Sequence, residues 1–259
     1  MAREGLFRGR TLEEAIAKAV GRRHELERDP SAGVTTCGSR KFKKPIRGGK
    51  QIHLGRLLSG KNALFVGEGN FSFTLALARM ENVDARRFVA STDASNVSLS
   101  PLGRRNVSDL VARGIRVRFR VDATRLLRSF GDGRFDLVVF QFPHSGLRPV
   151  ANRRNPNHTL IRSFLSSASN VIKPDGRVAV TTIESPHYIG GFDFVEAARR
   201  AKTMCINQFR FDPRLYPGYV HEVTTNVNQR VDLLNCGFPL VTRVFAKNRF
   251  DHQSGRSIQ

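Results

Sequence analysis

From Lys61 onward, short apolar runs alternate with segments of helical periodicity. This alternation is typical of βαβ units, in which parallel strands form a sheet and helices cover both of its faces. Strands are predicted at residues 63–66, 87–92, 116–120, 135–141 and 176–182. Helices are predicted at 73–80, 102–112, 123–130, 159–171 and 192–202, followed by β segments at 204–211, 221–225 and 239–246. The pattern predicts a doubly wound α/β fold.

The first fifth of the chain lacks this alternation. Thr11 and the segment after it predict a helix at residues 12–28, because an N-cap residue precedes a Glu and an apolar periodicity. Residues 31–50 are rich in Gly, Ser and basic side chains, and indicate either a basic arm that contacts phosphates or a solvated linker. We therefore divide the chain into a partly flexible basic extension (1–59), one domain (60–250) and a tail (251–259).

The charge of the chain favours polyanionic partners. Lys and Arg number 43 against 22 Asp and Glu, which gives a net charge of +21 among 259 residues. Nucleic acid is the leading candidate, since each phosphate contact releases counterions. The alternative is a basic surface that is merely solvated.

Other features restrict the class of protein further. No run approaches the roughly 18 apolar residues of a membrane helix. The three cysteines are widely separated and odd in number, which favours a reducing compartment, and dispersed histidines predict no metal site. Because the first residues lack an apolar signal core, we expect a soluble cytosolic protein.

Residues 64–73 read LFVGEGNFSF, so Gly67 and Gly69 directly follow the first predicted strand. The carboxyl ends of parallel strands bind ligands in open α/β sheets, and glycine lets the backbone approach a ligand closely. A tight turn without a ligand is the alternative.

Polar side chains follow three further predicted strands. Asp93 ends the second, Asp122 and Ala123 follow the third, and Gln141 ends the fourth. An acid at the end of the second strand is where nucleoside-binding sheets hold ribose hydroxyls. Helix capping is the alternative for each aspartate, but the set favours a nucleoside site.

The glycine spacing indicates which nucleoside. Dinucleotide enzymes carry G-x-G-x-x-G, whereas Ser72 stands at the position of the third glycine here. The spacing suits a single nucleoside with an amino-acid tail, which points to S-adenosylmethionine.

Four blocks of this sequence resemble one enzyme family. They are VGEGNFSF at 66–73, VDAT at 121–124, FDLVVFQFPHSG at 135–146 and YPGY at 216–219. In this order they are similar to the signature blocks of the large-subunit rRNA uridine-N(3) methyltransferases and their relatives. The resemblance implies a class I methyltransferase fold: a Rossmann-like, seven-stranded, mostly parallel sheet with an antiparallel last strand. It also implies S-adenosylmethionine as cofactor and an RNA base as substrate. The family usually has Asn at the position of Gln141.

Candidate site residues follow from these blocks. Cofactor contacts are predicted for the loop and the strand ends: Gly67, Glu68, Gly69, Asn70, Phe71, Ser72, Asp93, Asp122, Ala123 and Gln141. Catalytic roles are predicted for Gln141, Phe142, Pro143 and His144, which can hold the imide edge of uridine, stack on it, rigidify the turn and accept a proton. His144 as a structural hydrogen-bonding group and Gln141 as a cofactor ligand alone are the alternatives.

RNA contacts are predicted for Arg148, Arg153 and Arg154, which follow this turn. Tyr216 and Tyr219 are predicted to frame the pocket, with a purely structural hairpin as the alternative.

These features together predict an S-adenosylmethionine-dependent methyltransferase that modifies an RNA base, most specifically a uridine ring nitrogen of rRNA. We expect it in the cytosol, or in the nucleolus of a eukaryote. Two alternatives stay open. One is a non-catalytic RNA-binding assembly factor, and the other is a methyltransferase of a small molecule or protein.

Overall fold

The structure is a computed structural model that describes residues 54–147, 155–184, 192–222 and 230–248. The predicted helix at 12–28, the basic arm and the tail lie outside these residues. The described part contains a seven-stranded sheet in the order β3-β2-β1-β4-β5-β9-β6 and a separate two-stranded sheet, β7-β8. The strands are β1 (Ala63–Val66), β2 (Phe88–Ser91), β3 (Arg116–Arg118), β4 (Phe135–Gln141), β5 (Ile172–Ile183), β6 (Thr203–Arg210), β7 (His221–Glu222), β8 (Arg230–Val231) and β9 (Leu240–Lys247).

The first five strands of the large sheet are parallel. β1 lies between β2 and β4, with Leu64 opposite Val89 on one side and Val138 on the other. All four residues of β1 are buried, which is typical of a parallel strand that is covered on both faces. Polar groups that follow β1, β2, β3 and β4 therefore lie along one edge of the sheet.

β9, the last strand of the large sheet along the chain, runs antiparallel to the first five strands. β9 pairs antiparallel with both β5 and β6 and lies between them. This arrangement confirms the predicted fold, a seven-stranded mostly parallel sheet with an antiparallel last strand.

Five α-helices cover the sheet: α1 (Ser72–Ala78), α2 (Pro101–Ala112), α3 (Leu126–Phe130), α4 (Pro156–Val171) and α5 (Phe194–Arg200). The starts of α2 and α4 follow from local sequence. Ser100 and Asn155 cap these helices through side-chain oxygens, and a proline occupies the first turn of each.

Two hydrophobic clusters lie on opposite faces of the sheet. Ala63 and Phe65 belong to the cluster that includes α1, α2 and the segment around Phe211, whereas Leu64 and Val66 belong to the cluster that includes α3, α4 and α5. This alternation along β1 is the period of two that a strand imposes. Leu54 and Leu58 are also buried in the first cluster, so the packed domain includes residues before position 60.

Several elements differ from the predicted bounds. β5 begins at Ile172 rather than 176, with a register irregularity between Phe135 and Leu137 on its partner. The helix predicted at 123–130 is a 3-10 turn (Ala123–Arg125) followed by α3. Of the strand predicted at 221–225, only His221–Glu222 is described. No helix in the described ranges is both long and apolar enough to cross a membrane.

Candidate active site

The loop after β1 turns sharply at Gly67. Its φ is +67°, and a Cβ atom there would lie 2.4 Å from Cε2 of Phe140. Only glycine fits both this backbone conformation and this space, because L side chains rarely adopt such a φ. The N–H of Glu68 then donates to the carbonyl oxygen of Ser91 at 2.9 Å. The loop therefore lies at the carboxyl ends of β1 and β2.

The polar side chains later in this loop are engaged by the protein itself. Asn70 Oδ1 accepts from the Ser72 N–H at 3.1 Å, and its amide Nδ2 donates to the carbonyl oxygen of Val220 at 3.0 Å. Ser72 Oγ accepts from the Val220 N–H at 3.0 Å. Asn70 and Ser72 are predicted cofactor contacts, and in the structure their side chains join the loop to Val220.

Glu68 and Phe71 are likewise buried. Glu68 is 6% exposed, and its Oε2 accepts from the Thr74 N–H at the start of α1 at 3.4 Å. Burial raises the pKa of this carboxyl to about 7, although the Thr74 hydrogen bond opposes the shift. The Phe71 ring is fully buried and packs edge-on against Phe119. Their side chains are therefore engaged within the protein, and the cofactor contacts predicted for Glu68 and Phe71 rest on the backbone of the loop.

The two predicted aspartates differ in their surroundings. Asp93 follows β2 and is exposed, and its carboxylate has no hydrogen bond or ion pair within the part of the chain that the structure describes. Asp122 caps the 3-10 turn: its Oδ1 accepts from the Thr124 N–H at 2.8 Å, and Arg125 lies 3.6 Å away. Ala123, half-buried, begins that turn. The capping alternative therefore holds for Asp122, while Asp93 can accept hydrogen bonds from a ligand.

Gln141 ends β4 beside the glycine loop, since Val66 and Phe140 are register partners. Both polar atoms of its side chain are buried, and neither has a hydrogen-bond partner among the described residues. A buried amide without partners is unfavourable by about 1–3 kcal/mol. Gln141 therefore carries an unmet hydrogen-bonding capacity at the edge where a ligand is predicted.

The turn after Gln141 has a strained start. Phe142 has a φ of 49°, which is unusual for a bulky residue and costs on the order of 1–3 kcal/mol. Its ring contacts those of Phe211 and His221, and Pro143 is buried. His144 is exposed, and its Nδ1 accepts from the Gly146 N–H at 3.0 Å. An imidazole that accepts at Nδ1 carries its proton on Nε2, so this hydrogen bond favours the structural alternative for His144, while its catalytic role stays a prediction.

The segment from Tyr216 to Glu222 forms a wall beside the glycine loop. Tyr216 is 2% exposed, stacks on Phe211 and accepts from the Leu54 N–H at 3.2 Å through its hydroxyl. A ring buried in this way cannot stack on a base, so the structural alternative replaces the predicted RNA contact of Tyr216. Glu222 accepts from the Ser100 hydroxyl at 3.2 Å, and its carbonyl oxygen would lie 3.5 Å from a Cβ at Gly69.

Tyr219 and His221 form a polar pair in this wall. The Tyr219 hydroxyl and His221 Nδ1 are 3.2 Å apart, and the His221 ring centroid lies 4.8 Å from that of Phe142. Burial lowers the pKa of His221 to about 4, so its imidazole is neutral at physiological pH. Burial and the nearby Glu68 carboxylate raise the pKa of Tyr219 well above its ordinary value. His221 is not among the site residues predicted from the sequence, although two tyrosines and a histidine within six residues were a signal.

The structure thus places the backbone of Gly67–Gly69, Asp93 and Gln141 along the carboxyl edge of the sheet, with the Phe142–His221 ring pair directly after β4. The predicted RNA contacts Arg148, Arg153 and Arg154 lie outside the described residues. Within the described ranges, no group of three or more His, Cys, Asp and Glu is arranged to hold a metal ion.

One protein family matches this chain over most of the sheet. The model of the BMT5-like family, described as rRNA (uridine-N3-)-methyltransferase BTM5-like, matches residues 64–223. The match covers more than half of the chain and includes the glycine loop, Asp93, Gln141 and His221. The chain belongs to the BMT5-like family. The resemblance drawn from the four sequence blocks is thereby confirmed, and so, at the level of the family, is its methyltransferase class.

Two relatives of this BMT5-like chain are longer proteins that it covers only in part. Ferredoxin-fold anticodon-binding domain-containing protein 1 of Homo sapiens is 34% identical over 128 residues, which cover 48% of this chain and 20% of that protein. Heavy metal-associated isoprenylated plant protein 41 of Arabidopsis thaliana is 28% identical over 208 residues, which cover 75% of this chain and 38% of that protein. The chain therefore spans about a fifth of the first relative and less than two fifths of the second.

Among solved structures, a TehB-like SAM-dependent methyltransferase from Corynebacterium glutamicum is similar to this BMT5-like chain with a TM-score of 0.41 at 15% sequence identity. The likeness covers 89% of this chain and 98% of that one.

Proposed function

We propose that this chain is an S-adenosylmethionine-dependent methyltransferase that modifies an RNA base, and that the base is a uridine of ribosomal RNA methylated at N3. Membership of the BMT5-like family supports the reaction class. The net charge of +21 supports an RNA substrate. The proposal also assigns the activity to the cytosol, or to the nucleolus in a eukaryotic cell.

The observation that carries this proposal is the Gln141 amide, buried and without a partner at the end of β4. An amide offers one acceptor oxygen and two N–H donors. The N3 edge of uridine presents one N–H donor between two carbonyl acceptors, so it can use both kinds of group. A bound base would therefore give Gln141 the hydrogen bonds that it lacks in the protein alone.

The residues at the sheet edge fit an adenosyl cofactor. Gly67 brings the backbone to the edge without a side chain, and the Asp93 carboxylate is free to accept from ribose hydroxyls. Oδ1 of Asp122 already accepts from the Thr124 N–H, so we assign Asp122 a secondary part in holding the cofactor. Ala123, the next residue, has the same secondary part. When bound, S-adenosylmethionine supplies a methyl group on a good leaving group.

The chain's own task is then to hold the base and exclude water. Gln141 fixes the imide edge, and the rings of Phe142 and His221 form an apolar surface beside it. Positioning of this kind contributes much of the rate in a transfer between two bound reactants. We assign no proton transfer to His144, because its Nδ1 already accepts from the Gly146 N–H. His221 can accept the N3 proton at Nε2 in the tautomer whose Nδ1 donates to the Tyr219 hydroxyl, although burial lowers its pKa to about 4 and makes it a weak base.

Binding of the cofactor gives the first test. Isothermal titration calorimetry with S-adenosylmethionine and S-adenosylhomocysteine should detect binding by the wild type and a large loss in Asp93→Ala. Nucleoside mass spectrometry of RNA from cells with and without the gene should then reveal one missing methylated uridine. If neither compound binds, the enzyme proposal fails. If both bind and no methylated nucleoside disappears, the RNA substrate is wrong.

One observation favours a second function, a non-catalytic RNA-binding factor. The hydrogen bonds of Asn70 and Ser72 to Val220 tie the glycine loop to the wall segment. If these hydrogen bonds keep the glycine loop permanently closed to a cofactor, Asp93→Ala will leave the cellular phenotype unchanged. If the chain is an enzyme, the same variant will lose methyl transfer and keep its affinity for RNA.

A further inference from the structure

We propose that a basic groove across α3, α4 and α5 is a second RNA-binding site, which holds the sugar–phosphate backbone away from the methylated base. The groove has a volume of about 710 Å³. It is lined by four guanidinium groups and by hydroxyl and amide side chains, among them Arg125, Arg128, Arg162, Arg200, Ser163 and Ser166. The inference rests on the proposed RNA substrate, because it names a further contact for the same molecule.

The groove extends from one end of the sheet toward the other. Thr124 lines it and is bonded to Asp122, which follows β3 at the carboxyl edge. Asn170 also lines it, and the carbonyl oxygen of Asn170 accepts from Gly133, just before β4 begins at the opposite edge. Along α4, the eight residue steps from Arg162 to Asn170 rise roughly 12 Å. The groove is thus an elongated surface that starts near the candidate active site and leads away from it.

Positive charge predominates in the groove. No Asp or Glu is among its lining residues. Two of these arginines have carboxylate partners, since Asp122 lies 3.6 Å from Arg125 and Glu196 lies 2.6 Å from Arg200. Arg128 is exposed and forms no ion pair within the described parts of the chain. Arg128 therefore offers the groove a guanidinium group for an anionic ligand, beside a lining that contains no carboxylate.

One guanidinium group of the groove is also held in place by the protein. Arg162 is 8% exposed, and its Nε donates to the carbonyl oxygen of His158 at 3.2 Å, which fixes it against α4. Guanidinium forks and hydroxyl groups are the side chains that contact phosphate oxygens in nucleic-acid complexes. Leu127 is the apolar residue of the lining, so the groove offers little to an apolar partner. This combination fits a phosphodiester backbone better than a hydrophobic peptide.

The test replaces two exposed arginines of the groove, Arg125→Gln with Arg128→Gln. The matched control is Arg105→Gln with Arg113→Gln, which removes the same charge from two exposed positions, one in α2 and one directly after it, on the other face of the sheet. Affinity for a fluorescein-labelled oligouridine is measured by anisotropy between about 50 and 200 mM NaCl. Binding of S-adenosylmethionine, measured by calorimetry, should be unchanged in both double variants.

We expect the groove variant to bind the RNA at least threefold more weakly at low salt. Because each phosphate contact on a single strand contributes about 0.7 to the slope of log K against log salt, its slope should fall by about 1.4. The control should keep the wild-type slope. Equal changes in both variants, or no change in the groove variant, would overturn the inference while leaving the methyltransferase proposal intact.

Two further outcomes separate the possible causes of failure. If the wild type binds no RNA at low salt, the RNA substrate of the proposed function fails together with the groove. If the groove variant loses affinity for polyglutamate as much as for RNA, the groove is a general anion site, and its assignment to RNA is wrong.

Discussion

At the scale of single residues, Gly67 combines a left-handed backbone with a Cβ position only 2.4 Å from the Phe140 ring. Gly67→Ala should lower the free energy of unfolding by roughly 2–4 kcal/mol, because the methyl group meets the Phe140 ring in a left-handed conformation. The Phe140 ring packs edge-on against Phe164 and has little freedom to move. Gly60→Ala is the matched control, since Gly60 has a φ of +64° and open space around it. It should lose about 1 kcal/mol in urea denaturation. Equal losses would mean that the contact with Phe140 is unimportant.

Gln141 gives a prediction in which stability and activity move in opposite directions. Gln141→Leu removes a buried amide that lacks partners, so unfolding should become less favourable by about 1–2 kcal/mol. Methyl transfer to RNA should be lost, because leucine cannot bind the imide edge. Gln141→Asn keeps an amide and should retain measurable transfer. Urea denaturation and a methyl-transfer assay check the two effects. A leucine variant that is active, or that is less stable than the wild type, would contradict the assigned role.

At the scale of elements, the wall segment 216–222 is held to the glycine loop by Ser72. Ser72→Ala leaves the Val220 N–H without its acceptor, and the thermal unfolding free energy should fall by about 1–3 kcal/mol. Amides of residues 219–222 should also exchange faster with deuterium, since local opening becomes easier. Ser98→Ala is the control, because the Ser98 hydroxyl bonds to Ser95 on an exposed turn. Unchanged exchange in the Ser72 variant would show that other contacts hold the wall.

How far the sequence predicts each element depends on where its partners lie. β1 and β4 were predicted to the residue, because each is an apolar run whose ends are marked by polar or glycine residues. The position of Asp93 followed from the same rule. The roles of Asn70 and Ser72 could not be predicted, since their partner Val220 lies about 150 residues away along the chain. The early start of β5 depends likewise on pairing with Phe135, which local periodicity does not reveal.

At the scale of the whole molecule, two buried groups set opposite limits on stability. The folded-state pKa of Glu68 is raised from 4.5 to about 7. Its contribution to the free energy of unfolding is therefore fully present below pH 4.5 and is lost as the pH rises through 7. The folded-state pKa of His221 is lowered from 6.5 to about 4. Its contribution to the free energy of unfolding is therefore fully present above pH 6.5 and is lost as the pH falls through 4. These two groups therefore favour maximal stability between about pH 4.5 and 6.5.

The alkaline limit can be assigned to Glu68 by removing its charge. Glu68→Gln keeps an oxygen that can accept from the Thr74 N–H but does not ionise. Between about pH 5 and pH 8 the wild type should lose about 2.5 kcal/mol of unfolding free energy relative to the variant, because the folded-state pKa lies about 2.5 pH units above the unfolded value and part of the effect is already lost at pH 5. Urea denaturation at the two pH values measures this difference. Glu81→Gln removes an exposed carboxylate and should keep the wild-type pH dependence. If Glu68→Gln also kept it, the Glu68 carboxyl would have to be ionised or solvated in the folded protein, and the buried site described for it would be wrong.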